Sequence, residues 1–141
     1  MSLLAASEYA DARHRRVPSP GQDDVTALGM LDGLLLIVEA QKRRFPEGLD
    51  PFKMVTRLLE ECGELATEVQ VWEDEGLKRS KHGEPDRGRT ASEIVNVLTA
   101  TLTIADHYGL VPDVAEQVEL AVERAAAHGH LSPGEVRRHQ G

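Results

Sequence analysis

Twelve consecutive residues, Ile94 to Ala105, carry no charge: Ile-Val-Asn-Val-Leu-Thr-Ala-Thr-Leu-Thr-Ile-Ala. They follow Thr90-Ala-Ser-Glu93, a capping-box pattern in which hydroxyl and carboxylate satisfy the first free amides of a helix. Gly109 closes the segment. A helix with no charged face is buried on most of its sides. A chain of 141 residues has little else to wrap around such a helix. The expected architecture is therefore an all-α bundle of four to five helices that completes its core by assembling with copies of itself, as a homodimer or homotetramer.

The remaining helices follow from apolar spacing and punctuation. Leu28, Leu31, Leu35 and Val38 recur at helical intervals between Val25 and about Arg44, where Phe45-Pro46-Glu47-Gly48 stops the run. Asp50-Pro51 pairs an acidic cap with proline at the first helical position and opens a second helix. That helix is expected to reach Asp74 or Glu75, before Gly76, with Val55, Leu58, Cys62, Leu65, Val69 and Trp72 as its core stripe. Leu77 to Arg89 reads as a polar, basic loop, and Pro112-Asp113 starts a last helix that fades near Gly129. Helix formers dominate, aromatic residues are only 4%, and β-strand alternation is nearly absent. The organisation expected is a flexible arm over 1–22, a helical domain over 23–130 and a frayed tail over 131–141.

A net charge of −8 argues against a nucleic-acid duplex as the main partner, which needs clustered Lys and Arg. It leaves room for one phosphorylated small molecule, because a bound divalent cation reverses the local field. Cys62 is the only cysteine, so no internal disulfide forms and a reducing compartment is expected. No apolar run approaches the roughly 20 residues that span a bilayer. Met1 to Ala6 lacks the basic start and long apolar stretch of a signal peptide. A cytoplasmic location without membrane attachment is expected.

The chemistry resides in acidic spacing. Glu61, Glu64 and Glu68 stand at i, i+3 and i+7 on the second helix, flanking its apolar stripe, while Glu93 and Asn96 share a face of the third. If these helices pack antiparallel with axes about 8–10 Å apart, their carboxylates converge. Oxygen ligands from two helices, with room for water, are what magnesium requires. Without a cation, such carboxylates repel and at least one pKa rises.

Glu61-Cys-Gly-Glu64, then 28 residues, then Glu93-Ile-Val-Asn96 resembles the signature of the MazG-like nucleotide pyrophosphohydrolases, two E-x-x-E/D pairs on adjacent helices. The flanking Leu58-Leu59-Glu60, Leu65-Ala66, Trp72, Val97-Leu98, Ala105-Asp106 and Gly109-Leu110 resemble that family too, over roughly residues 25 to 128. The resemblance implies an all-α NTP pyrophosphatase fold that cleaves a nucleoside or deoxynucleoside triphosphate to its monophosphate and pyrophosphate, with house-cleaning of the nucleotide pool as the role this suggests. It implies Mg²⁺, with Mn²⁺ as alternative, on Glu61, Glu64, Glu93 and Asn96. Glu60, Glu61 or Glu68 would orient or deprotonate the attacking water. Lys78 and Lys81 would clamp pyrophosphate, and Trp72 would flank the nucleoside. Asn96 departs from the family, which carries Asp there, and lowers the formal charge of the four-residue set from −4 to −3. The last helix, with Glu119 and Glu123, does not match the family's Lys and Asn.

Other readings of the same residues stand beside this one. Glu93 is also the fourth residue of a capping box, and Asn96 is equally a satisfied core amide. Trp72 continues the core stripe, the Lys78–Arg89 run suits a solvated loop, and the glutamates suit a solvated face. Gly63 in mid-helix suggests close approach of a ligand or backbone. The whole chain is alternatively a catalytically weakened or inactive nucleotide-binding protein, because of Asn96, or a helical assembly module.

Overall fold

The computed structural model describes residues 29–74 and 76–138. The arm expected over 1–22, and the Val25 start of the first helix, lie outside the described residues. Among those described there are six helices and no strand: α1 (Met30–Arg44), α2 (Pro51–Glu73), α3 (Lys78–His82), α4 (Arg87–His107), α5 (Val111–Ala127) and α6 (Pro133–Arg138). A 3-10 turn, Pro46–Gly48, separates α1 from α2. Four helices are long, as expected; α3 and α6 fill stretches expected to be loop and frayed tail.

Local chemistry explains each boundary. Asp50 caps α2 by accepting from the amides of Phe52 and Lys53 at 2.9 and 3.1 Å, with Pro51 where no donor is needed. The helix ends one residue early because Asp74 itself takes the left-handed conformation, φ 55°. The α4 start differs from the expected one. Asp86 is the cap, its carboxylate accepting from the Arg89 amide at 2.6 Å, so the helix begins at Arg87 and Thr90 lies inside it. Glu93 is consequently not a capping residue. At the other end Gly109, φ 67°, sets a Schellman close, with the Leu110 amide donating to Ala105 and the Gly109 amide to Asp106. The capping box of this chain is Ser132-Pro-Gly-Glu135: the Ser132 amide donates to Glu135 at 2.7 Å and the Glu135 amide to Ser132 Oγ at 3.3 Å. That reciprocal pair orders α6.

Helix α4 is central, with α1, α2 and α5 packed on it. The α2–α4 pair runs antiparallel, since Trp72 meets Thr90 and Glu68 meets Arg89. Leu34 and Val38 of α1 pack with Leu102 of α4 as the apolar core, and Lys42 ties the same two helices by reaching Asp106 at 2.7 Å. On α2 the buried residues are Met54, Glu61, Glu68 and Val71. Of the expected stripe, Leu58, Leu65 and Trp72 are half-buried, while Val55, Cys62 and Val69 are exposed. The helix is thus rotated from the orientation its apolar residues suggested, and turns carboxylates inward. No residue of α5 is buried, and the uncharged run of α4 leaves Ile94, Val95 and Leu98 exposed.

Trp72 holds α2 to α4 through one hydrogen bond, Nε1 donating to Thr90 Oγ1 at 2.8 Å. Trp72→Phe keeps an aromatic ring but leaves the half-buried junction without its donor. Urea unfolding should register a loss of about 1 kcal/mol, and Thr90→Val should add little further loss on that background.

Candidate metal centre

The inward turn of α2 assembles the site. One carboxylate oxygen each from Glu61, Glu64 and Glu93 lies within 4.8 Å of the other two. Glu61 sits at the base, retaining 8% of its accessible surface, whereas Glu93 is half-buried and Glu64 exposed. The cluster therefore has a buried floor and an open side. Asn96, one turn beyond Glu93, donates from Nδ2 to Glu93 Oε2 at 3.2 Å and so belongs to it.

Two cations that the spacing did not bring forward complete the electrostatics. Arg57 of α2 reaches Glu61 Oε1 with Nη2 at 3.2 Å, and Arg89 of α4 reaches Glu68 Oε1 with Nε at 2.7 Å. The partners leave one oxygen on each acid, Glu61 Oε2 and Glu68 Oε2, buried with no hydrogen bond. Buried carboxylate oxygens seldom go unpartnered. Arg57 was legible in principle, since it stands four residues before Glu61. Arg89 depends on the register between two helices.

The other expected site residues are spread out. Glu60 is exposed, adjacent in sequence to Glu61, and its charge helps push Glu64 upward. Glu68 is held by Arg89. Trp72 is half-buried with its indole nitrogen committed to Thr90. Lys78 and Lys81 lie on α3, whose Arg79 grips Val71 O at 3.2 Å, about two turns of α2 beyond Glu64. Neither lysine ammonium makes an ion pair with the cluster among the described residues. Among the described residues, nothing outside the local helix backbone approaches Gly63: a Cβ there would meet no such atom within 4 Å. The close approach expected at that glycine is therefore not made by this chain's own backbone.

The donor set suits a hard divalent cation. All three ligating groups are carboxylates, and two oxygens on one octahedral magnesium lie about 2.9–4.2 Å apart, so a small contraction of the 4.8 Å span suffices. The floor supplies an oxygen, Glu61 Oε2, with no hydrogen-bond partner among the described residues.

Electrostatics records the same convergence. Glu61, then Glu93, then partial desolvation hold the Glu64 carboxyl above the usual carboxylate range. A raised folded-state pKa means the folded chain binds the proton more tightly than the unfolded one, so stability falls as pH rises through that range. In chelator-treated protein at neutral pH, Glu64→Gln should raise the melting temperature, and the gain should vanish under acid conditions where Glu64 is protonated anyway. A Glu64→Gln protein that melts lower than wild type at neutral pH would contradict the repulsion. No family model, no curated protein and no solved structure matches this chain.

Proposed function

We propose that the chain is a divalent-cation-dependent nucleoside triphosphate pyrophosphohydrolase, cleaving (d)NTP to (d)NMP and pyrophosphate on an all-α NTP pyrophosphatase-like bundle. The supporting observation is the convergence of Glu61, Glu64 and Glu93 beside the buried, unpartnered Glu61 Oε2. Magnesium, or manganese in its place, would be held by these three with Asn96 alongside, and would supply charge neutralisation on the phosphate and a lowered pKa for the attacking water. With Glu68 committed to Arg89, the exposed Glu60, next to Glu61 in sequence, would take the proton of that water. Lys78 and Lys81 lend their charge to the outgoing pyrophosphate.

The Asn96 amide favours a second reading. It spends itself on Glu93 and adds no charge, so the same bundle binds cation and nucleotide weakly and turns over slowly or not at all. Charge count tunes hard-cation affinity. Pyrophosphate release from a panel of NTPs and dNTPs with magnesium discriminates the two. The enzyme reading expects release that both EDTA and Glu64→Ala abolish. Nucleotide binding without release, together with release in Asn96→Asp, selects the second reading. Silence in both proteins rejects the first.

We further propose that a second copy of the chain covers the outer faces of α2 and α5. Phe52, Leu59 and Val118 are 83%, 66% and 58% exposed, and Val55, Val69, Val114 and Val122 continue these surfaces. Exposed apolar patches of this kind mark association surfaces. Light scattering should give a dimeric or tetrameric mass, reduced to the monomer by Leu59→Asp or Val118→Asp. A monomeric wild type at micromolar concentration would remove this proposal.

A further inference from the structure

A cavity of about 220 Å³ opens between α1, the 3-10 turn, α2 and α4, with Arg57 on its wall. Phe45, Leu49 and Met54 give it apolar surface, and Lys42, Lys53 and Arg57 give it positive charge. Lys42 is occupied by Asp106 and Glu39, and Lys53 by the Glu47 carbonyl. Arg57 differs, because it belongs to two sites at once: it lines the cavity and holds Glu61 Oε1.

We infer that Arg57 is a shared cation, which competes with a divalent ion for Glu61 and is transferred to the phosphate of an incoming nucleotide when that ion binds. Charge and mobility both support the exchange. A guanidinium on Glu61 repels any divalent cation drawing on the same carboxylate, and the pair cannot serve both fully. The Arg57 side chain is 59% exposed, so it leaves Glu61 without opening the core. Its planar fork suits phosphate oxygens, and Arg57 itself joins the cavity it lines to the cluster through Glu61. Glu61 Oε2 remains without a hydrogen bond meanwhile, which keeps an oxygen on offer to the ion. This inference rests on the proposed metal-dependent reading of the same cluster.

Calorimetric titration of chelator-treated full-length protein with Mn²⁺ tests it, using wild type, Arg57→Met, Arg57→Gln and Lys53→Met. Arg57→Met should bind Mn²⁺ about three- to tenfold more tightly than wild type, the scale of one charged pair at partial exposure. Lys53→Met removes a charge from the same cavity wall one turn away but touches no acid of the cluster, and should change the affinity by less than about twofold. At saturating Mn²⁺, both Arg57 variants should bind a non-hydrolysable α,β-imido nucleoside triphosphate about three- to tenfold more weakly. Opposite signs for ion and nucleotide are the signature, since a merely structural arginine would weaken both. Unchanged or weaker Mn²⁺ binding in both Arg57 variants, with binding still abolished by Glu64→Ala, overturns the shared-cation role and leaves the metal site intact. Absence of Mn²⁺ binding in every protein, folded by circular dichroism, overturns the metal-dependent reading as well.

Discussion

Glu61 and Glu68 sit seven residues apart on the face that α2 turns towards the bundle, where apolar side chains would ordinarily pack. An ionised carboxylate taken out of water without a partner costs several kcal/mol, so the rest of the bundle must answer these two groups. The two answers differ. Glu68 is met across the interface by Arg89 at 2.7 Å, which fixes the register of α4 against α2. Among the described residues Glu61 is met by Arg57 of its own helix, a longer contact that does nothing to join the helices. Trp72 and Thr90 lock the same register one turn beyond Glu68. Held at that end, α4 brings Glu93 opposite Glu61 and Glu64, and the cluster follows from the register.

How much of this was legible in the sequence depends on the range of the interaction concerned. The cap at Asp50-Pro51, the stop at Gly109 and the uncharged run of α4 are local signals, and the structure contains all three. The i, i+3 pairs placed Glu61 with Glu64 and Glu93 with Asn96, and antiparallel packing was enough to bring the three carboxylates together, with Asn96 bonded to Glu93. Two local signals were misassigned. Thr90-Ala-Ser-Glu93 satisfies the capping-box pattern, but Asp86 competes for the same role and wins by accepting from the Arg89 amide, lengthening α4 by a turn. Ser132-Pro-Gly-Glu135 carries the pattern in full and orders a tail expected to fray.

The orientation of α2 was the larger miss, and its cause is physical. Apolar residues occur around much of this helix, with Met54, Leu58, Leu65 and Val71 on one side and Val55, Leu59, Cys62 and Val69 on the other. Counting a period selects a stripe but does not say which of two stripes faces the same chain. Ion pairing to Arg89 and the Trp72–Thr90 bond decide it, and both are contacts between helices that no period within one helix encodes. The stripe left outside is the surface on which the proposed second copy would sit, and α4 likewise has apolar residues covered on only some of its sides.

Charge balance connects Asn96 with Arg57. Under the proposed function, Glu61, Glu64 and Glu93 bring three negative charges, and Arg57 returns one positive charge to Glu61. A divalent ion entering that set meets a net charge of −2 instead of −3, a weaker trap for the ion, and the loaded set is neutral, a poor receiver for a polyanionic nucleotide. Moving Arg57 from Glu61 to the phosphates improves both at once: the carboxylates regain their full charge towards the ion, and the nucleotide gains a bidentate partner. An aspartate at position 96 would supply the missing charge without any such movement. Asn96 therefore makes ion and nucleotide binding more dependent on each other, because the charge that one needs removed from Glu61 is the charge that the other takes up.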